Sequence, residues 1–446
     1  MHTHKLPLLT FALATLCAAS HAFADNPLIM DQFTADPTAR FFEGKIYLYP
    51  SHDFIPSTGR GRGFAMEDYH AFSSENLMDW HDYGPIIKQT DVPWVNPNNM
   101  MWAPDCVTKG GKYYFYFPAP PKAANGARDV WGIGVAIADH PGGPFKPQAT
   151  PIEGAKGIDP CVLVDKDGQS YLFYALNAIF VAKLKDNMVD LAEEPMKIPN
   201  LPEQGLVEGP FAFERNGKYY LTFPHAVRTE RLEYAMADNP KGPYTMKGVI
   251  MDQSASGCWT NHQSLVEYNG QWMLFYHDKD LFPTNDAKRS AHADYLTFNA
   301  DGTINKVIPT LRGVGIADAT RKIQIDRYSA ISKEGVKVSF LNEAKTFDGW
   351  KVALTEKDAF VQYDRVDFAK APLKSVNVRA LSPAGGAVEI RLDKPDGPLV
   401  AKVAIPKAAD WATVNVKLAA VPSGLHNLVV TMPEKNDVQI DWVSFE

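Results

Sequence analysis

Five times along the chain, a short polar turn built on glycine opens into a run of aromatic and aliphatic residues. The segments are Glu43-Gly44-Lys45-Ile46-Tyr47-Leu48-Tyr49, Gly110-Gly111-Lys112-Tyr113-Tyr114-Phe115-Tyr116, Asp167-Gly168-Gln169-Ser170-Tyr171-Leu172-Phe173, Asn216-Gly217-Lys218-Tyr219-Tyr220-Leu221-Thr222 and Asn269-Gly270-Gln271-Trp272-Met273-Leu274-Phe275. Glycine takes up positive φ without a Cβ clash, so Asn-Gly or Asp-Gly ahead of such a run is the chemistry of a tight β-hairpin. The five glycines fall 49 to 67 residues apart, the spacing of four-stranded propeller blades. A weaker repeat trails the hairpins: Phe72 to Trp80, Ala136 to Phe145 and Ala235 to Tyr244 each read as a strand running into a turn, as outer strands do. The pattern predicts a five-bladed β-propeller over residues 25–322.

Beyond Arg321 the texture changes. Apolar and polar residues alternate with period two, as in Val376-Asn377-Val378-Arg379-Ala380 and Val414-Asn415-Val416-Lys417-Leu418, with no further aromatic hairpin repeat. Half-buried strands give that alternation, so residues 323–446 are expected to form a β-sandwich of jelly-roll type. The chain is therefore expected to be all-β. At its start, His2, His4 and Lys5 lead into the apolar run Leu6 to Ala19, and Ala22-Phe23-Ala24 supplies small residues for cleavage. That run is too short to span a bilayer, so residues 1–24 read as a signal peptide cut after Ala24, and the protein as exported, periplasmic or secreted. Cys17 leaves with it, and Cys106, Cys161 and Cys258 allow at most one disulfide.

Charge narrows the partners. With 45 Lys+Arg against 52 Asp+Glu the net charge is −7, and no basic block interrupts the chain. Nucleic acid and anionic membrane surfaces are poor partners for such a protein, and no second apolar run reads as a membrane span.

The innermost strand of each propeller blade runs along the central channel, so residues entering those strands meet at one place. Eight or nine residues before the five hairpin glycines stand Asp36, Trp102, Asp159, Glu208 and His262. Three carboxylates, an indole and an imidazole thus converge by register. Each has a bland reading in isolation: Asp36 and Asp159 precede prolines and could open turns, Trp102 could be core, and His262 a satisfied polar residue. Their common register favours the functional reading. Glycoside hydrolysis needs one carboxylic acid to protonate the leaving oxygen and one carboxylate to activate water or attack. A third carboxylate nearby raises the acid's pKa, and Trp102 offers a flat face to a sugar ring.

The motifs Ala35-Asp36-Pro37, Trp102-Ala103-Pro104-Asp105, Ile158-Asp159-Pro160, Val207-Glu208-Gly209-Pro210, His262-Gln263-Ser264-Leu265 and Asp301-Gly302-Thr303-Ile304 resemble, in order, those of glycoside hydrolase family 43. The resemblance implies a five-bladed propeller that hydrolyses α-L-arabinofuranosyl, β-D-xylosyl or some galactosyl linkages with inversion. It implies Asp36 as general base, Glu208 as general acid and Asp159 as the residue that tunes and orients the acid. Arg289, in Lys288-Arg289-Ser290, matches an arginine placed against the sugar hydroxyls. His262 matches a histidine beneath the site, often beside a calcium ion that it reaches through coordinated water; the chemistry itself needs no cofactor. Inversion calls for carboxyl groups roughly 6.5–9.5 Å apart. The substrate is expected to be an oligosaccharide or plant cell-wall polysaccharide, selected by the loops Phe54–Phe64, Pro85–Met101 and Phe282–Lys288.

The C-terminal segment resembles carbohydrate-binding module family 6 through Phe360 to Phe368, Trp411 to Val416, Gly424 to Leu428 and Ile440 to Phe445. It departs from that family where Val438-Gln439 replaces an asparagine and where a pair of tryptophans is reduced to Trp411. Sugar binding at Trp411 and a structural role both stand. Two other functions are weighed and set aside. The retaining invertase and fructanase group carries Asn-Asp-Pro-Asn near the first blade, where this chain has Thr34-Ala35-Asp36-Pro37-Thr38. A sugar-binding propeller without catalysis has no need of three convergent carboxylates.

Overall fold

The computed structural model describes residues 25–55, 63–98, 100–122, 131–175, 177–226, 228–369 and 372–446. The expected signal peptide, 1–24, lies outside them. The described chain is all-β apart from isolated 3₁₀ turns, and no helix in it is long and apolar enough to cross a membrane.

Consecutive stretches of chain form separate antiparallel sheets. Residues 35–88, 105–147 and 158–197 each make four strands, 206–251 make five, and 263–296 make three. In each, an inner strand hairpins into the next: Ala35–Phe42, Asp105–Lys109, Ile158–Val164, Phe211–Arg215 and Gln263–Tyr268. Four of the expected tight turns occur. Glu43-Gly44, Gly110-Gly111, Asn216-Gly217 and Asn269-Gly270 each join strands through two residues that both have positive φ, the type I′ geometry that matches strand twist. The third hairpin differs from expectation. Its strands part at Val164 and Ser170, and the Gly168 N–H bonds Asp165 O in a longer loop. Only Gly168 of the Asp167-Gly168 pair has positive φ, so the two-residue turn is not formed there.

The inner strands pack side by side in chain order, and the last lies against the first, closing a ring. Hydrogen bonds stitch every step. Thr38 Oγ1 donates to Pro104 O, the Val162 N–H to Asp105, the Gly209 N–H to Asp159, Gln263 Nε2 to Gly209 O, and the Ala39 N–H to Ser264 Oγ. Below the mouth of the ring Arg40 forks onto Asp105 at 2.9 and 2.7 Å. The segment before Ala35 secures the closure: Leu28 N donates to Ala291 O and Thr34 N to Arg289 O, along the outer strand of the last sheet. Between neighbouring sheets lie apolar layers rich in Tyr and Phe, which is where the aromatic excess of the sequence is spent.

The C-terminal part consists of two six-stranded sheets, with Val376, Val378, Ala380, Val361, Val430 and Ile440 buried between them. The period-two alternation thus corresponds to one buried and one wetter face. Ala317–Asp318 pairs with Val366–Asp367, so sandwich pairing begins ahead of the boundary read at 322/323. One apolar cluster runs from Leu28, Leu48 and Trp80 through Val314 and Ile323 into Val352 and Val443.

Candidate active site

Asp36 and Asp159 are aimed by the same device. In the first sheet Ala35 pairs with Ser51 and Thr38 with Tyr49, so Asp36-Pro37 together oppose one residue. In the third, Ile158 pairs with Ala175 and Cys161 with Phe173, leaving Asp159-Pro160 opposite one. Both aspartates adopt left-handed backbone, φ 47° and 55°, a conformation unusual for a residue that precedes proline. A bulge here turns each carboxylate out of the strand's alternation and toward the mouth of the ring. Strained backbone of this kind persists where the surrounding structure over-determines it.

All six residues singled out in the propeller segment, Asp36, Trp102, Asp159, Glu208, His262 and Arg289, line one cleft at that mouth. Sequence register brought together groups from all five sheets. Phe64, Met66, Trp259 and Asn261 complete the wall. A shallower groove continues outward past Phe64 and Trp259 to Phe282 and Thr284. Of the three expected specificity loops, residues 56–62 and 99 lie outside the described residues.

Asp36 is fixed from three sides. Arg289 Nη1 donates to its Oδ1 at 2.7 Å and Nη2 to its Oδ2 at 3.3 Å, Ser51 Oγ donates at 2.8 Å, and His277 Nδ1 stands 3.3 Å from Oδ1. Burial alone would raise the Asp36 pKa, but the Arg289 charge, followed by His277, holds the carboxyl far below the usual carboxylate range. Arg289 is itself held by Asp53 through Nε at 3.0 Å and Nη2 at 3.1 Å, with its guanidinium 4.7 Å from the Phe64 ring centroid. The guanidinium expected against sugar hydroxyls therefore also bridges the cleft carboxylate to a second, fully buried one. Asp53, Ser51 and His277 were not read from sequence; they sit on second strands, where Ser51 and His277 each stand seven residues after their hairpin glycines, Gly44 and Gly270, a register that counting back from the turns passes over.

Asp159 Oδ2 accepts the Gly209 N–H at 3.0 Å, tying the third carboxylate to the residue after Glu208. Glu208 is half-buried. Trp102 stands with its ring centroid 4.6 Å from that of Trp131 and 6.3 Å from that of Phe64. His262 is buried, and burial lowers its pKa to about 4, so the imidazole stays neutral over most of the working range. Among the described residues, the cluster of His, Cys, Asp and Glu close enough to share an ion is His52, Asp68 and His70, away from His262. Gln263 Oε1 is buried without a hydrogen-bond partner, and both Gln263 and His262 lie against Gly209. A neutral imidazole and one amide oxygen are a donor set for a largely hydrated hard cation rather than a closed protein cage. In the sandwich, Trp411 is half-buried and one face is stacked by Arg379 at 5.1 Å.

Chemically, the cleft sets an ionised, immobilised carboxylate against a half-buried glutamate whose neighbours are acidic. Carboxyl groups in such unlike surroundings are what glycoside hydrolysis calls for.

Comparison with known proteins agrees. Residues 24–304 match the sequence model of glycosyl hydrolases family 43, and residues 329–446 that of carbohydrate binding module family 6. The xylosidase/arabinosidase 43A of Humicola insolens is 37% identical, over 62% of this chain and 98% of its own. The arabinoxylan arabinofuranohydrolase of Bacillus subtilis is 26% identical over 94% of this chain and 91% of its own. A β-D-galactofuranosidase of Aspergillus niger is 30% identical over 66% and 88%. Among solved structures, a family 43 β-xylosidase/α-arabinofuranosidase from a compost metagenome, crystallised with xylotriose in a calcium-free form, superposes with a TM-score of 0.58 at 35% identity, covering 64% of this chain and 97% of the other. The chain belongs to glycosyl hydrolases family 43 and is a glycoside hydrolase.

Proposed function

We propose that this protein is an exported, inverting glycosidase that removes α-L-arabinofuranosyl or β-D-xylosyl units from xylan-derived chains. The observation that carries the reading is the meeting of Asp36, Asp159 and Glu208 in one cleft with their surroundings already differentiated. Asp36, kept ionised by Arg289, takes the proton of an attacking water; Glu208 gives its proton to the departing glycosidic oxygen; Asp159 holds the Glu208 segment through the Gly209 N–H. Water attacks in a single displacement from the face opposite the leaving group, so the anomeric configuration inverts.

The five sheets are the five blades of a propeller over residues 25–322, and residues 323–446 are an accessory module. The module serves the polysaccharide through Trp411, or serves stability alone. A calcium ion near His262, contacted through its waters, would stiffen the floor of the cleft without entering the reaction. The galactofuranosidase relative favours one second reading, a furanoside with galactose in place of arabinose.

The test is a panel of nitrophenyl α-L-arabinofuranoside, β-D-xyloside and β-D-galactofuranoside, with proton NMR of the first-formed sugar. Inverted product from either pentoside is expected. Initial retention would refute the single displacement, and turnover of the galactofuranoside alone would replace the sugar assignment.

A further inference from the structure

Glu230 is a fourth carboxyl group at the site, and the mechanism above leaves it without a task. It opens the strand Glu230–Ala237, next to the strand whose Pro224 O accepts the Glu208 N–H. Its side chain is 1% exposed. Oε2 accepts the backbone N–H of Asn261, a residue of the cleft wall, while Oε1 has no donor of the protein to accept from. What Glu230 meets is the Glu208 carboxyl, its side-chain hydrogen-bond partner, with Asp159 near enough for its charge to be felt. Arg231 is the next residue, but the strand's alternation sends it to the other face, where it pairs with Glu233 at 2.7 Å. No cation reaches Glu230 among these contacts.

Two carboxylates facing each other at hydrogen-bonding distance cannot both be ionised without strong repulsion. An orphaned oxygen against a carboxyl is satisfied by one arrangement, a proton lying between the two. Burial, then the charge of Glu208, holds the Glu230 carboxyl well above the usual carboxylate range. Glu208, half-exposed, is the better solvated of the pair.

We propose that Glu230 and Glu208 share a single proton, which makes Glu230 the positioning and proton-holding partner of the acid. In the open cleft the proton sits mainly on the buried Glu230. When a sugar dries the cleft, the Glu230 O–H bond breaks as a Glu208 O–H bond forms, and Glu230 is left as an anion held by the Asn261 N–H. Glu208 then passes the proton to the leaving oxygen, and after product leaves Asp36 releases to solvent the proton it took from the attacking water while the pair takes one up. The proposal rests on the assignment of Glu208 as the acid.

The experiment compares wild type and Glu230→Gln by the pH profile of kcat/KM on an unactivated xylobioside, together with infrared difference titration of the carboxyl stretch. In the wild type, loss of the last shared proton leaves two adjacent anions, so the alkaline limb lies high. Glutamine removes the like charge, and that limb should move down by about one pH unit or more. Burial also raises Asp280 and Asp326 to about 7, so the readout is the wild-type spectrum minus the variant's, which should show one protonated carboxyl at pH 7 that the variant lacks. A uniform fall in rate with an unmoved limb and an unchanged infrared titration would overturn the proposal. Should Glu230→Gln fail to fold, Glu230→Asp is titrated instead, where a shift of that band is expected and a titration identical to the wild type's refutes sharing. If the wild type hydrolyses no glycoside yet shows the persisting proton, the assignment of function fails and the shared proton stands.

Discussion

In the proposed mechanism Asp36 acts as a base only while it is both ionised and immobile, and Arg289 contributes to both beside Ser51 and His277. A lysine at that position keeps the charge but loses the fork that meets Asp36 and Asp53 together. Arg289→Lys should therefore lower kcat by about 10²-fold or more through misplacement of the base, and steady-state kinetics on an activated glycoside would report it. Glu208→Gln is expected to behave differently: hydrolysis of unactivated glycosides should be abolished, while substrates with good leaving groups lose less because they need less protonation. Equal losses on both classes would remove Glu208 from the acid's role. His262 makes a pH prediction of its own. Burial lowers its pKa from 6.5 to about 4, so between those values the unfolded chain binds more protons than the folded one. Stability contributed by the neutral imidazole is full above pH 6.5 and is lost as pH falls toward 4. His262→Gln should reduce the loss of unfolding free energy between pH 7 and pH 4 by about 1–3 kcal/mol, read from denaturant titrations at the two pH values.

At the scale of elements, glycines at positive φ divide by what surrounds them. Gly217 closes a tight hairpin, and a Cβ there would meet nothing within 4 Å, so Gly217→Ala costs only backbone strain, about 1 kcal/mol. Gly209 also has positive φ, but a Cβ would lie 2.8 Å from Pro224 and 3.0 Å from His262. Gly209→Ala should cost more in thermal stability and also lower kcat, because it displaces the N–H that holds Asp159 beside Glu208; comparable effects of the two variants would contradict this. The same elements explain what was legible beforehand. Hairpin glycines and the residues entering the inner strands share a near-constant spacing set by strand length, so Asp36, Trp102, Asp159, Glu208 and His262 could be found by counting. Ser51, Asp53 and His277 lie toward the ends of second strands and Glu230 begins a third; Ser51 and His277 share a distance of seven residues from their hairpin glycines, but as a serine and a histidine they show no common chemistry to mark it, and Asp53 and Glu230 have no counterpart in the other blades. Their roles are set by contacts across sheets, which no local period records. The third hairpin departs from the expected turn for a related reason: Asp167-Gly168 has the composition of a two-residue turn, but pairing stops at Val164 and Ser170, and Gly168 closes the Asp165–Gly168 turn inside the longer loop.

At the scale of the molecule, the ring and the sandwich are joined by buried chemistry rather than by a linker alone. Arg312 is 2% exposed and spends its guanidinium on both parts: Nε donates to Asp364 O at 2.7 Å, Nη1 to Asp25 Oδ1 at 3.3 Å and to Val314 O at 3.1 Å, and Nη2 to Gly315 O at 3.0 Å. Tyr363 of the sandwich donates to the same Asp25 oxygen at 2.6 Å and lies 4.3 Å beneath the guanidinium. Burial raises the Asp25 pKa to about 6 against the opposing charge of Arg312, so Arg312→Ala leaves a buried carboxyl whose ionised form has lost its counter-charge. A loss of about 3–5 kcal/mol is expected for breaking such a pair. Because one apolar cluster crosses from Leu28 and Trp80 to Val352 and Val443, the two parts should also unfold together. Calorimetry of the full chain should show a single transition that Arg312→Ala moves down without splitting, and two resolved transitions in the wild type would show that the shared core does not couple them. The three cleft carboxylates all precede residue 317, so residues 25–322 retain every group of the proposed mechanism. Cutting the chain there removes Ile323 and the sandwich residues from the apolar cluster that holds Leu28, Ile29 and Val314, and unpairs Ala317–Asp318 from Val366–Asp367. That fragment should therefore turn over small glycosides with the full chain's kcat at low temperature, and lose activity at a lower temperature than the full chain. A folded fragment without activity would mean instead that the sandwich completes the cleft.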